Sequence, residues 1–177
     1  MCEIRLTTPI SKETARTLRA GDSVLLSGVI YTARDAAHER MTREFREGKP
    51  FPIDLREQAI YYAGPCPAKP GQVIGSCGPT TAGRMDAYTP MLLEHGLGAM
   101  IGKGQRSEEV VASMKKNSAV YLGAIGGAGA LIAGCIKEAE VVAYEDLGTE
   151  AVRRLVVEDF PLVVLIDCEG NNIYNRG

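Results

Sequence analysis

The chain has 177 residues, of which 45% are hydrophobic and 24% charged, with a net charge of −2. That length predicts one domain over residues 1–177 with a real buried core, and the slight acidity excludes a general nucleic-acid binder, which needs an electropositive face, while allowing a small basic pocket. Five cysteines, odd in number, widely spaced and without a CxxC, argue against a disulfide framework or a self-contained zinc site and predict reduced thiols.

Residues 2–7 alternate and read as a strand. Ser11 caps a helix over residues 12–20, closed by Gly21. Residues 22–31 carry Val24, Leu25, Leu26, Val29 and Ile30, a strand or a strand pair around Ser27-Gly28. Residues 33–47 have helical spacing of Ala33, Ala36, Ala37, Met41 and Phe45, ended by Gly48. A Pro/Gly-rich excursion over 49–71 contains a strand at 58–62. Residues 73–76 read as extended, Gly78-Pro79 as a turn, and 82–95 as one helix stopped by Gly96. A short strand covers 97–101, Ser107 caps another helix with Val110, Val111 and Met114 inward, and strands follow at 119–125, 141–144 and 162–166. The apolar run 119–136 is broken by Gly pairs and is not read as a membrane span. The N-terminus lacks a basic-then-apolar signal pattern, so the expected location is the cytoplasm. Alternating strands and helices predict an α/β fold with a mixed, partly parallel sheet.

Nucleotide motifs fail on inspection. A GxGxxG match starting at Gly127 needs glycine at position 132, which is Ile132. A P-loop fails because Lys103 is followed by Gly104 and the earlier glycine position is Leu97. The Gly-rich stretch 123–129 reads as close packing or a turn beside a site. The most informative segment is Gly78-Pro79-Thr80-Thr81-Ala82-Gly83-Arg84-Met85. It delivers two hydroxyls to an expected helix start and an Arg to its first turn, the ingredients of a small-anion site with a bidentate clamp. Arg34 stands at a strand-to-helix junction, facing a cleft or paired on the surface with Asp35 or Glu39. His38 lies one turn on, supporting Arg34 or Asp35, or facing solvent. Lys103, between two glycines, offers a point charge to a pocket or to water. His95, beside the helix-stopping Gly96, reads as structural. Glu145, Asp146, Glu158 and Asp159 read as surface or capping carboxylates rather than a glycosidase pair.

Five segments occur together and in order: residues 30–38, 78–85, 101–104, 123–130 and 143–148, with 167–172 near the end. This set resembles the beta subunit, or C-terminal domain, of class I fumarate hydratases and the related L(+)-tartrate dehydratases. The resemblance implies a swivelling β/β/α domain and a hydro-lyase that interconverts fumarate and L-malate, a tricarboxylic acid cycle step, or that converts tartrate to oxaloacetate. It implies a [4Fe–4S] cluster held by three cysteines of an alpha subunit and none of this chain, an α2β2 assembly, and an active site between subunits. Carried onto this sequence, it places substrate binding on Arg34, Arg84 and Lys103 and the catalytic position on Thr80, while Asp35 and His38 receive no role. A reading from another class is a non-catalytic domain that captures a dicarboxylate.

Overall fold

The computed structural model describes residues 3–124 and 129–175. The chain runs β1 (Ile4–Thr7), α1 (Lys12–Thr17), β2 (Ser23–Thr32), α2 (Asp35–Arg46), β3 (Ala59–Tyr61), α3 (Thr89–Glu94), β4 (Ala99–Gly102), α4 (Glu108–Asn117), β5 (Val120–Ala124), α5 (Gly129–Ala133), β6 (Ile136–Ala143) and β7 (Val152–Ile166). Short 3-10 turns occupy Ala82–Met85, Glu145–Glu150 and Ile173–Asn175. Strands β1 to β5 pair in parallel in sequence order. The long β7 then runs antiparallel to β5, to β2 and to β6. Because β7 joins β5 back to β2, the ring β2-β3-β4-β5-β7 closes, with β1 and β6 appended to it. The α/β class and the mixed, partly parallel sheet are therefore as expected.

Burial on both faces explains why β3, β4 and β5 read as continuous apolar runs. Alternate residues feed two cores. Ala59, Tyr61, Ala99, Ile101, Val120 and Leu122 join the core that also takes Leu26, Phe160 and Val164. Ile60, Met100 and Tyr121 point the other way, to Met41 of α2, Leu92 and Leu93 of α3, and Val110 and Met114 of α4. Ser11 and Ser107 cap α1 and α4 as expected, their hydroxyls accepting from Thr14 N and Val110 N.

Several elements differ from the sequence reading. The helix expected over 82–95 is two pieces, a four-residue 3-10 turn and α3. Pro90 lacks the N–H that a through-helix would need and begins a new one instead. Thr80 and Thr81 therefore do not cap an α-helix, and the helix-terminus anion site is not formed. Residues 73–76 are not a strand; they pair locally with Cys66, whose N donates to Ser76 O and whose O accepts from Gly75 N. Residues 22–31 form one strand with a bulge between Leu26 and Gly28. The strand at 162–166 is the end of fifteen-residue β7, whose Arg153-Arg154 and Glu158-Asp159 pairs broke the apolar pattern. Strand β6 begins five residues before the predicted 141, α1 ends at Thr17, and α5 was not foreseen. Of the Gly-rich stretch 123–129, expected to pack closely or turn beside a site, residues 125–128 lie outside the described residues.

The segment 167–172 is a structural lock. Buried Asp167 accepts hydrogen bonds from the backbone N–H groups of Ala20, Glu169 and Asn171 and from Asn171 Nδ2, all at 3.0–3.1 Å. Asp167→Ala removes all of them and is expected to cost about 2 kcal/mol or more in urea denaturation, since each net bond to a charged acceptor contributes ~1.5 kcal/mol or more.

Candidate functional site

The sequence-predicted residues gather beyond the carboxyl ends of the parallel strands. Arg34 follows β2, Lys103 follows β4, and Thr80 is tied to the chain just after β3, where Tyr62 O accepts from both Thr80 N (2.7 Å) and Thr80 Oγ1 (2.9 Å). Thr81 bridges Lys103 in parallel, with Lys103 N donating to Thr80 O at 3.3 Å and Ala82 N to Lys103 O at 2.9 Å. Gly102 makes this join possible, because a Cβ there would lie 2.7 Å from the Tyr62 ring and 3.4 Å from Thr80 O. Arg84, from the 3-10 turn, reaches back to α2, its NH1 4.0 Å from Asp35 Oδ2. Carboxyl ends of parallel strands are where α/β folds, open sheets and closed barrels alike, accept small ligands.

Arg34 is neither a free surface Arg nor a partner of Asp35 or Glu39. Its Nε is buried and lies 4.0 Å from Oε1 of Glu150, which also accepts from Ala36 N at 3.3 Å. The face itself is open: Lys103 is exposed and the Arg84 side chain is 60% exposed. Three cationic residues thus belong to segments at the carboxyl ends of β2, β3 and β4, with Asp35 near Arg84, Glu150 near Arg34, and no direct hydrogen bond between those carboxylates and the two guanidinium groups.

His38 does not face solvent. It is fully buried, and its Nδ1 lies 2.8 Å from Arg34 O, a geometry that puts the proton on Nδ1. Burial away from water, opposed by the bond to Arg34 and aided by the Arg106 charge, lowers its pKa to about 4. Its Nε2, Asp35 Oδ1 and Arg34 Nε are buried polar atoms left without a hydrogen-bond partner. All three belong to the 34–38 motif. His95, by contrast, is structural as expected: it ends α3, bonds Met91 O and packs against Phe45 and Phe51.

Sequence reasoning missed the brace behind the site. The Arg106 side chain is completely buried. Its Nε donates to Asp86 Oδ1 at 2.7 Å and its NH2 to Thr89 Oγ1 at 2.9 Å, while its guanidinium lies 5.1 Å over Tyr62 and 4.9 Å over Tyr121. Asp86 Oδ2 also accepts from Ser107 N at 2.8 Å. This pair ties the loop carrying Thr80 and Arg84 to the loop carrying Lys103. Nothing in the local pattern of residues 86 and 106 marks them as partners.

Two clefts lie elsewhere. One of about 930 Å3 opens at the amino ends of β3, β4 and β5, lined by Ile10, Glu57, Gly98 and Ser118 among others, and holds none of the motif residues. A second of about 370 Å3 runs between Cys66 and Val73 on one side and Val141 and Arg153 on the other. Among the described residues no group of three or more His, Cys, Asp or Glu side chains is placed to hold a metal ion, and no helix is long and apolar enough to cross a membrane.

The model of the family described as Fumarase C-terminus matches residues 1–177. The chain belongs to that family. It is 42% identical over 159 residues to Fumarate hydratase 2 of Leishmania major, covering 88% of this chain and 28% of that protein. It is 44% identical over 154 residues to the anaerobic class I fumarate hydratase of Escherichia coli (strain K12), covering 85% and 28%. A shorter relative, named "Putative L(+)-tartrate dehydratase subunit beta" in Methanocaldococcus jannaschii, is 39% identical over 173 residues, 94% of this chain and 89% of its own. The chain therefore spans under a third of the fumarate hydratases it matches and nearly the whole of the named beta subunit. The resemblance read from the sequence motifs and the family match agree.

Two outcomes follow from this geometry. Asp86→Ala leaves the Arg106 charge buried without its counter-ion and should lower stability by about 3–5 kcal/mol in chemical denaturation, whereas Arg43→Ala, which removes an exposed pair with Glu39, should leave it near the parent value. His38 should titrate near pH 4 in NMR. Since its folded value lies below the ordinary 6.5, the unfolded chain takes up the proton first; His38's contribution to stability is whole above pH 6.5 and is lost as pH falls toward 4.

Proposed function

We propose that this chain is the beta subunit of a class I hydro-lyase, adding water reversibly to fumarate to give L-malate at a site completed by an alpha subunit. The observation that carries the reading is that the segment bearing Thr80 and Arg84 is tied to Tyr62 after β3, to Lys103 after β4, and to Asp35 beside Arg34 at the start of α2. A dicarboxylate has two anionic ends, and two guanidinium groups plus an ammonium suit it. An open face supplies only part of a water-excluding site, which favours completion by a second polypeptide. The family resemblance supports the alpha subunit as that polypeptide and an α2β2 arrangement.

The [4Fe–4S] cluster of this reading belongs to the alpha subunit. The described residues of this chain do not fit it: Cys66, Cys77, Cys135 and Cys168 are free and no metal-holding group forms around them. The work assigned to this chain is electrostatic. Arg34 and Arg84 hold the carboxylates and, with Lys103, stabilise the charge that develops on one carboxylate when the C3 proton leaves. In this reading Thr80 is the residue that meets that proton. Its hydroxyl donates to Tyr62 O at 2.9 Å, a bond that favours the neutral hydroxyl over an alkoxide. The resting geometry therefore supports Thr80 orienting substrate at least as well as acting as base.

The extensive match to the named tartrate dehydratase beta subunit supports a second reading, dehydration of tartrate to oxaloacetate at the same clamps. The deciding experiment is co-expression with the cluster-bearing alpha subunit, anaerobic reconstitution, and parallel assays with fumarate and L(+)-tartrate. Turnover of fumarate is expected; turnover of tartrate alone selects the second reading; diacid binding with no turnover of either selects a binding domain. In the active assembly Arg84→Lys, which keeps the charge and loses the fork, should lower kcat/KM by about tenfold or more. Retained turnover in Thr80→Val would exclude Thr80 as base.

A further inference from the structure

We propose that Glu150 is a positioning residue that aims Arg34 at the substrate, an inference that rests on Arg34 being a carboxylate ligand. Arg34 precedes α2 and its side chain makes no cap hydrogen bond. Glu150 supplies the missing acceptor from 114 residues away, taking the Ala36 N–H at 3.3 Å, and the same Oε1 lies 4.0 Å from Arg34 Nε. One carboxylate oxygen thus serves both the helix start and the guanidinium.

The surroundings of Arg34 leave it one course. A Cβ on Gly64 would lie 3.0 Å from Arg34 Cδ, 3.1 Å from Arg34 NH1 and 3.0 Å from Thr149 O. The side chain therefore runs tight against Gly64, which also lies close to Thr149 O in the backbone leading to Glu150, and a Cβ at position 64 would crowd it. From behind, the buried His38 ring donates its Nδ1–H to Arg34 O and fixes the main chain. Both members of the Arg34–Glu150 pair are more than two-thirds shielded, with side chains 24% and 30% exposed, so their attraction is less screened than that of an exposed pair.

The gap itself matters. At 4.0 Å the carboxylate attracts the guanidinium without accepting its hydrogen bonds. The guanidinium is held in place without its donors being taken up by Glu150. A clamp that is misplaced by about 1 Å loses much of its value, so the groups that aim it act on catalysis without touching substrate.

The test is a double-mutant cycle in the complete assembly, with fumarate KM and kcat measured for the parent, Arg34→Ala, Glu150→Ala and the double variant. Acting through Arg34, Glu150→Ala should raise KM about fivefold or more in the parent and less than about twofold when Arg34 is already absent. Gly64→Ala changes no charge and should show the same dependence on Arg34. Glu150→Gln keeps an acceptor for Ala36 N, so it isolates the charge should Glu150→Ala fail to assemble; a smaller rise that vanishes in the Arg34→Ala background is expected. Equal effects of Glu150 variants with and without Arg34, or an unchanged KM in Glu150→Gln and Gly64→Ala alongside a raised KM in Arg34→Ala, would overturn the proposal. A normal KM and kcat in Arg34→Ala would instead remove Arg34 from the functional reading, and this inference with it.

Discussion

The buried ion pair between Arg106 and Asp86 is the constraint on which the candidate site depends. Two irregular loops, one carrying Thr80 and Arg84 and the other Lys103, have little regular structure of their own to hold them. Arg106 binds Asp86 and Thr89 beyond the first loop and lies between the Tyr62 and Tyr121 rings. Asp86 in turn accepts from Ser107 N at the start of α4. A charge buried this deeply is tolerated only with its partner and its hydrogen bonds complete. The pairing joins the same two loops that the Thr81–Lys103 bridge joins, so the two contacts reinforce one mutual arrangement.

On the open side the same chain handles charge differently. Each guanidinium assigned to substrate has a carboxylate of its own chain at 4.0 Å, Glu150 beside Arg34 and Asp35 beside Arg84. Behind the site, charge is satisfied at 2.7 Å and withdrawn from chemistry. On the face, charge is directed but left free to bind. Among the described residues the buried side-chain atoms without partners, Arg34 Nε, Asp35 Oδ1 and His38 Nε2, all fall in the 34–38 segment. Unsatisfied buried polar atoms are costly, and their confinement to one motif sets that motif apart from the fully satisfied Arg106 network and the Asp167 lock.

Much of the fold was legible in the sequence because its signals are local. Ser11 and Ser107 announced their helices through capping chemistry, and the apolar runs around Ile60, Ile101 and Leu122 announced doubly buried strands. The failures have physical causes. The helix expected over 82–95 ignored Pro90, whose ring removes a donor in mid-run. Most of β7 was invisible because its outward residues include Arg153, Arg154, Glu158 and Asp159, and a strand bonded to three partners owes its existence to them rather than to propensity.

By itself the sequence determined the residue types of the candidate site, their order and the family to which they belong, since a motif is a property of neighbours along the chain. It also determined the caps and the apolar alternation that build the sheet. The tertiary structure alone decided that Thr80 serves a loop bridged to Lys103 rather than a helix start, that His38 is buried and neutral behind Arg34, and that Glu150 stands beside a residue 116 positions earlier. Those contacts come from closing the sheet through β7, which brings distant segments to one end of the strands, and no local pattern encodes which distant charge will meet which.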